Sequence, residues 1–481
     1  MLNPRKTAPA IPAIAATAFV LSLLAPAPSN ACSTFKLQKG DVLLYGHNLN
    51  QPGMQVPGLI FINKRGVFKI GRSWEEMITP DRRDPSTLSW ISRYGSVTFS
   101  TFGRDMPDGG MNEAGLYIWE MSDNVAYPKN AALPKLVQMN WMQYVLDNCA
   151  DLDDALATLD EVEIGGWGWH YFVGDGRGEC AAIDFAGGRA VVHRGAALPV
   201  PALFNEPYER EVELARFFKG FGGLYEPDLA DRKVPRFVKT AVLIRDFDPA
   251  KEPDPAAYGL TMLERLYVNE PAKWSVLVDA RDKVVYFKTE LNPAVKTLRM
   301  GAFDYSAATP ALVLNMDRKE GGDVTALFHP ADVPEIRAFI AALPLPDGFY
   351  KELGLAKNDF VERFATHHVA GADPARRYFV GVWETRPDAE NAAGGAEVEL
   401  RASGDGVSGE IRNASGERYP LDHIHLVGGR LSFTFRNAGG TIYIFKATID
   451  GARMDAQLWG IDGLLRKLAL FKRRSDPHSS T

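Results

Sequence analysis

Between residues 376 and 473 the chain divides into eight short apolar runs separated by turn residues, and few folds accept that pattern. The runs cover 378–384, 397–402, 406–412, 423–427, 430–435, 441–449, 452–460 and 464–471. Gly404 and Gly406, Gly428 and Gly429, Gly439 and Gly440, and Asp450 with Gly451 punctuate several of them. Leu431, Phe433 and Phe435 alternate with polar neighbours. That period of two belongs to a strand with one dry face and one wet face. Strands this short, joined by turns this tight, pair with their sequence neighbours, so an antiparallel barrel or sandwich of about 100 residues is expected.

The whole chain has 481 residues, too many for one hydrophobic core, so this unit stands beside at least one other. Short strand-like runs crowd 33–71, broken by Gly40, Gly46, Gly53, Gly58 and Gly66. More follow at 96–102, 116–121, 171–173, 180–185, 190–193, 274–279, 284–288 and 311–316. Helical spacing marks 136–146, 152–159 behind Asp151 as N-cap, 236–243, 334–343 and 349–365. Strands and helices in separate clusters predict α+β layers rather than a doubly wound parallel sheet. The expected organisation is a leader over 1–31, a layered domain over 32–345, a helical linker over 346–375 and the β-unit over 376–473. A net charge of −6 and the absence of a long Lys/Arg run argue against nucleic acid as a partner.

The first 31 residues have the form of an export signal. Arg5 and Lys6 precede an apolar stretch over 11–24, and Pro26, Pro28, Ser29 and Ala31 follow. The stretch is too short to favour a stable membrane span. Cleavage after Ala31 is expected, with a mature protein that is periplasmic or secreted and has no membrane span. The chain has three cysteines, Cys32, Cys149 and Cys180. The last two are compatible with free thiols or with one disulfide. Cys32 would become the first residue, carrying a thiol and an α-amine that titrates near 7.7–8. One residue then supplies nucleophile and base for chemistry through a thioester. The position is also open to a disulfide partner or a lipidated cysteine, although Ser29-Asn30-Ala31 lacks the leucine usual in lipoprotein signals.

Cys32-Ser33-Thr34-Phe35 is followed in order by Gly46-His47-Asn48-Leu49-Asn50 and by the run Asp108-Gly109-Gly110-Met111-Asn112-Glu113-Ala114-Gly115-Leu116. Then come His170-Tyr171-Phe172-Val173, Asn205-Glu206-Pro207, Arg236-Phe237-Val238 and Trp274-Ser275-Val276-Leu277-Val278-Asp279. These seven motifs, each weak alone, resemble in their order the choloylglycine hydrolase and penicillin V acylase family over roughly residues 32–345. The family consists of linear-amide hydrolases with the N-terminal nucleophile fold, an αββα sandwich. The β-unit lies outside the resemblance. Its Gly381-Val382-Trp383 is similar to the opening motif of lipocalin-like barrels.

The resemblance implies that Cys32 is the nucleophile, that Asn205 is the amide donor to the oxyanion, and that Arg236 is the arginine beside the thiol. It implies an N-acyl amide substrate: a bile-salt conjugate, a penicillin V-like side chain or an N-acyl homoserine lactone. Two positions depart from the family pattern. His47 stands where the family usually has arginine, and Asn50 where it usually has aspartate. Asn50 keeps hydrogen bonding but no charge. His47 is open to two roles, a titrating partner for the thiol or a packed ring. These departures keep two other readings in view, an acyltransferase using the same nucleophile and a catalytically weak ligand-binding relative. Ser122 lies near the place where some members carry a further oxyanion donor, and Trp119, Met121, Trp167 and Trp169 are candidates for an acyl pocket or for core. No zinc-ligand spacing and no phosphate loop occur, so no metal or cofactor is expected. The oligomeric state, including a homo-oligomer, is left open.

Overall fold

The computed structural model describes residues 32–50, 58–71, 87–101, 103–123, 125–267, 271–307, 309–343, 348, 350, 356–370, 379–385, 395–403, 406–427, 430–450, 453–460 and 463–473. The expected leader over 1–31, and parts of the runs expected at 349–365 and 378–384, lie outside these residues.

Two sheets face each other. The first has seven strands, in the order Ala202–Leu203, Ser33–Lys39, Val42–Leu49, Trp274–Asp279, Val284–Thr289, Lys296–Arg299 and Gly322–Asp323. The second has nine, with Cys180–Ala186, Trp169–Gly174, Tyr117–Ser122, Gly109–Asn112 and Ser96–Ser100 at its centre. Pleating sends alternate side chains to opposite faces. Tyr117, Trp119 and Met121 therefore point inward at the first sheet, where Tyr45 stacks on Tyr117 at 4.7 Å and His47 on Trp119 at 4.0 Å. Ile118 and Tyr171 point outward into a second core completed by the helices Gln138–Asn148 and Leu152–Glu161. Helices Arg236–Asp246 and Pro255–Arg265 cover the first sheet. The result is an αββα sandwich, the architecture the sequence motifs implied.

Some boundaries moved. The helix expected over 136–146 begins at Gln138, because Lys135–Val137 pairs in parallel with Glu163–Gly165 and is pulled into a strand. The stretch expected as a linker holds the helix Lys357–Ala370, whose Phe360, Val361 and Ala365 join Ile336 and Phe339 in the second core. Cys32, Cys149 and Cys180 are all buried and free, so the disulfide alternative does not apply.

The β-unit is a closed antiparallel barrel of eight strands in sequence order from Gly381–Thr385 to Gly463–Lys472. Its first strand closes on its last, with Trp383 opposite Lys472. Trp383 is fully buried and donates its indole N–H to the Phe379 carbonyl at 2.8 Å. Phe433 and Phe445 stack at 4.4 Å inside the barrel. Among the described residues no helix is long and apolar enough to cross a membrane.

Candidate active site

Cys32 immediately precedes the strand Ser33–Lys39 and is completely buried between the layers. Arg236 reaches it from far along the chain: its Nη1 donates to the Cys32 carbonyl at 3.2 Å. The guanidinium lies 4.9 Å over the Phe204 ring. Arg236 opens its helix, where the macrodipole disfavours a cation. Helix stability alone would not place it there. Burial pushes Arg236 down to about 10, while Cys32 and Glu211 pull upward. Glu211 is itself buried and lifted to about 7 by that burial, with Arg236 opposing the rise.

Burial also drives the Cys32 thiol far above its usual range, and Glu120 adds to the effect. A hydrogen bond from the Asn50 backbone and the charge of Arg236 act the other way. Position 50 thus contacts the thiol through its main chain, which does not depend on the aspartate replaced here.

Asn205 follows the short strand Ala202–Leu203, and its Nδ2 donates to the Ser122 carbonyl at 2.8 Å. That bond identifies the amide nitrogen as the end facing Ser122, and it uses one of two N–H groups. Ser122 therefore serves this corner through its carbonyl.

His47 sits directly opposite Thr34 in the strand register. The Thr34 hydroxyl lies 2.7 Å from His47 Nδ1 and 3.2 Å from the Met121 sulfur. Nε2 has no partner among the described residues. Burial lowers His47 well below its ordinary 6.5, so the ring is neutral near pH 7. This is the packed-ring alternative; a neutral ring stacked on Trp119 carries no charge to offer the thiol.

The sequence reading assigned no role to four acids and a histidine nearby. Glu120 faces the outer layer opposite Tyr171, fully buried, with neither carboxylate oxygen partnered among the described residues. Burial raises it well above the carboxylate range, helped by Asp108. Asp108 accepts from the Thr101 amide at 2.6 Å and is raised to about 7 by burial. A glutamate inside the apolar run Leu116–Met121 was the visible signal for Glu120. His170 and Asp184 pair at 2.7 Å, beside Phe204, and Glu211 approaches Arg236 from the helix Tyr208–Ala215. Trp119 and Met121 belong to the inner face, Trp169 is buried, and Trp167, at 44% exposure, is the one that reaches solvent. Among the described residues no group of three His, Cys, Asp or Glu stands close enough to hold a metal ion.

The chain is 25% identical to penicillin V acylase of Pectobacterium atrosepticum, over 51% of this chain and 78% of that protein. Penicillin V acylase from Agrobacterium tumefaciens shares the fold, with a TM-score of 0.52 and 21% identity over 63% of this chain and 98% of that one. A variant of conjugated bile acid hydrolase from Clostridium perfringens aligns more loosely, at a TM-score of 0.46 and 16% identity over 59% of this chain and 97% of that one, and carries no weight. No family model matches the chain. The sequence relative and the ordered motifs, on a sandwich of the same fold, support the resemblance of this chain to the choloylglycine hydrolase and penicillin V acylase family.

Proposed function

We propose that this protein is an exported hydrolase of linear, non-peptide amide bonds that uses Cys32 as an N-terminal nucleophile. The contact of Arg236 with Cys32 carries the reading: a buried guanidinium, electrostatically misplaced on its own helix, is spent on the main chain of the residue that export would make first. Removal of residues 1–31 frees the Cys32 amine to accept the thiol proton, which a deeply buried thiol does not shed unaided. Sγ then attacks the amide carbonyl. The developing oxyanion takes the second N–H of Asn205 together with a backbone N–H, and the neutral amide donor binds it without pairing permanently with substrate. The amine product departs with the proton. Water next attacks the thioester, giving up a proton to the Cys32 amine, and releases the acid and the thiol.

Arg236 and the Asn50 main chain both favour thiolate over thiol, which supports catalysis despite the loss of a charge at position 50. The substrates to test first are penicillin V, by analogy with the sequence relative, and the bile-salt conjugates and N-acyl homoserine lactones that the motif resemblance implies. The deciding experiment pairs the mass of the N-terminal peptide, from protein made in an exporting host, with turnover of this panel by wild type and Cys32→Ser. A free Cys32 at the terminus and loss of turnover in the variant support the mechanism. A retained leader in active protein, or full turnover by Cys32→Ser, overturns it.

A further inference from the structure

His170 is fully buried on the inner face of the second sheet, and both of its ring nitrogens meet acceptors. Nδ1 lies 2.7 Å from Asp184 Oδ1 and Nε2 lies 2.5 Å from the Phe204 carbonyl oxygen. Both ring nitrogens are therefore anchored, one to a carboxylate and one to the main chain. Asp184 is a well-anchored partner: burial works to raise its carboxyl, yet hydrogen bonds from His170 and the Tyr208 amide, with His193 beside it, keep it below the ordinary value. The Tyr208 N–H donates to Oδ2 at 2.8 Å, and His193 Nε2 stands 3.2 Å from the same oxygen. Asp123, 3.9 Å from Nδ1, and Glu211 across from the helix are the other acids facing the ring.

The carbonyl that His170 holds belongs to the peptide unit joining Phe204 to Asn205. Fixing this oxygen fixes the plane of that peptide, and from it spring both groups the proposed chemistry requires. Asn205 is the residue on its far side, and the Phe204 ring on its near side is the platform under Arg236. We propose that His170, held in place by Asp184, is a positioning residue that locks the 204–205 peptide and thereby aims Asn205 and Arg236 at Cys32. The inference rests on the mechanism proposed above. A displacement of about 1 Å at such a donor costs on the order of 100-fold in rate.

Two substitutions separate positioning from mere packing. The amide nitrogen of glutamine falls close to Nε2 of histidine, whereas that of asparagine falls close to Nδ1. His170→Gln therefore keeps a donor for the Phe204 carbonyl and gives up the Asp184 pair; His170→Asn does the reverse. The probe is the p-nitrophenyl ester of phenoxyacetic acid, with acylation followed by release of p-nitrophenolate in processed wild type, Cys32→Ala, Asn205→Ala, His170→Gln and His170→Asn, all held below their melting temperatures. We expect kcat to fall about 50-fold in His170→Asn with KM within about 3-fold, and to stay within about 5-fold of wild type in His170→Gln. Equal rates for the two His170 variants, or losses that track melting temperature alone, overturn the inference while leaving the mechanism intact. If Cys32→Ala releases p-nitrophenolate like wild type, or Asn205→Ala matches wild type, the mechanism itself has failed and the inference falls with it.

Discussion

Glu120 is a carboxyl group enclosed by protein, and replacing it with glutamine isolates what its ionisation costs. Burial raises its pKa well above the ordinary 4.5, so between the two values the folded protein keeps the proton while the unfolded chain releases it. A raised folded value makes the native state the one that binds more protons, so stability is complete below pH 4.5 and declines as pH climbs through the interval above it. Each pH unit of that interval is worth about 1.4 kcal/mol. Glu120→Gln removes the titration and keeps the shape. Urea unfolding followed by tryptophan fluorescence, compared at pH 4 and pH 7, should show the variant close to wild type at the lower pH. At the higher pH it should be the more stable of the two, by about 1.4 kcal/mol for each pH unit of the interval already crossed. A stability difference that is the same at both pH values would refute the reasoning, since it would mean that the carboxyl is ionised in the native state or solvated there.

Asp147 gathers Lys69 at 3.0 Å, the Trp90 indole at 2.7 Å and Gln143 at 2.9 Å in a buried cluster. Asp147→Ala leaves Lys69 short of one partner, and a loss of about 3–5 kcal/mol in stability by urea unfolding is expected; an unchanged midpoint would contradict it. A Cβ on Gly109 would stand 2.2 Å from Cδ2 of Trp119, against the ring on which His47 stacks. Gly109→Ala should therefore cost roughly 1–3 kcal/mol in stability, read by thermal melting, and depress turnover as the inner face shifts. If the barrel is separable, a chain ending at residue 370 keeps the second core whole, whereas one ending at residue 345 loses Phe360, Val361 and Ala365. The shorter form should be less stable by about 5 kcal/mol, from some 1.5–3 kcal/mol per large apolar side chain re-exposed; equal melting of the two would refute that boundary.

The barrel was legible because its signal is local. Alternation along single strands and glycine turns between them are written in neighbouring residues, and the eight expected runs became eight strands. Its one large boundary error, a strand that begins at Arg418 instead of 423, hides behind Pro420 and a bulge at which His423 takes a positive φ of 49°. The sandwich was legible through motif order, not periodicity. Val137 has apolar helical spacing with the residues after it, but strand pairing to Gly165 outweighs that preference. Cys32, Asn205 and Arg236 could be named only from the company they keep. What they do to one another is non-local: Arg236 meets Cys32 across 204 positions, and Asn205 meets Ser122 across 83. Nothing in the spacing of His170, Asp184 and Phe204 says that one histidine joins the other two.

The depth at which Cys32 lies has a bearing on durability as well as on rate. Sulfenic acid formation and thiol exchange proceed through the thiolate and need access. Burial holds Cys32, Cys149 and Cys180 toward the protonated form, with no pair of them joined. Such a set of sulfurs can pass through an oxidising compartment without being scavenged or cross-linked. In the proposed mechanism this burial would keep Cys32 reluctant toward peroxide for the same reason that it would wait for a bound carbonyl and a base.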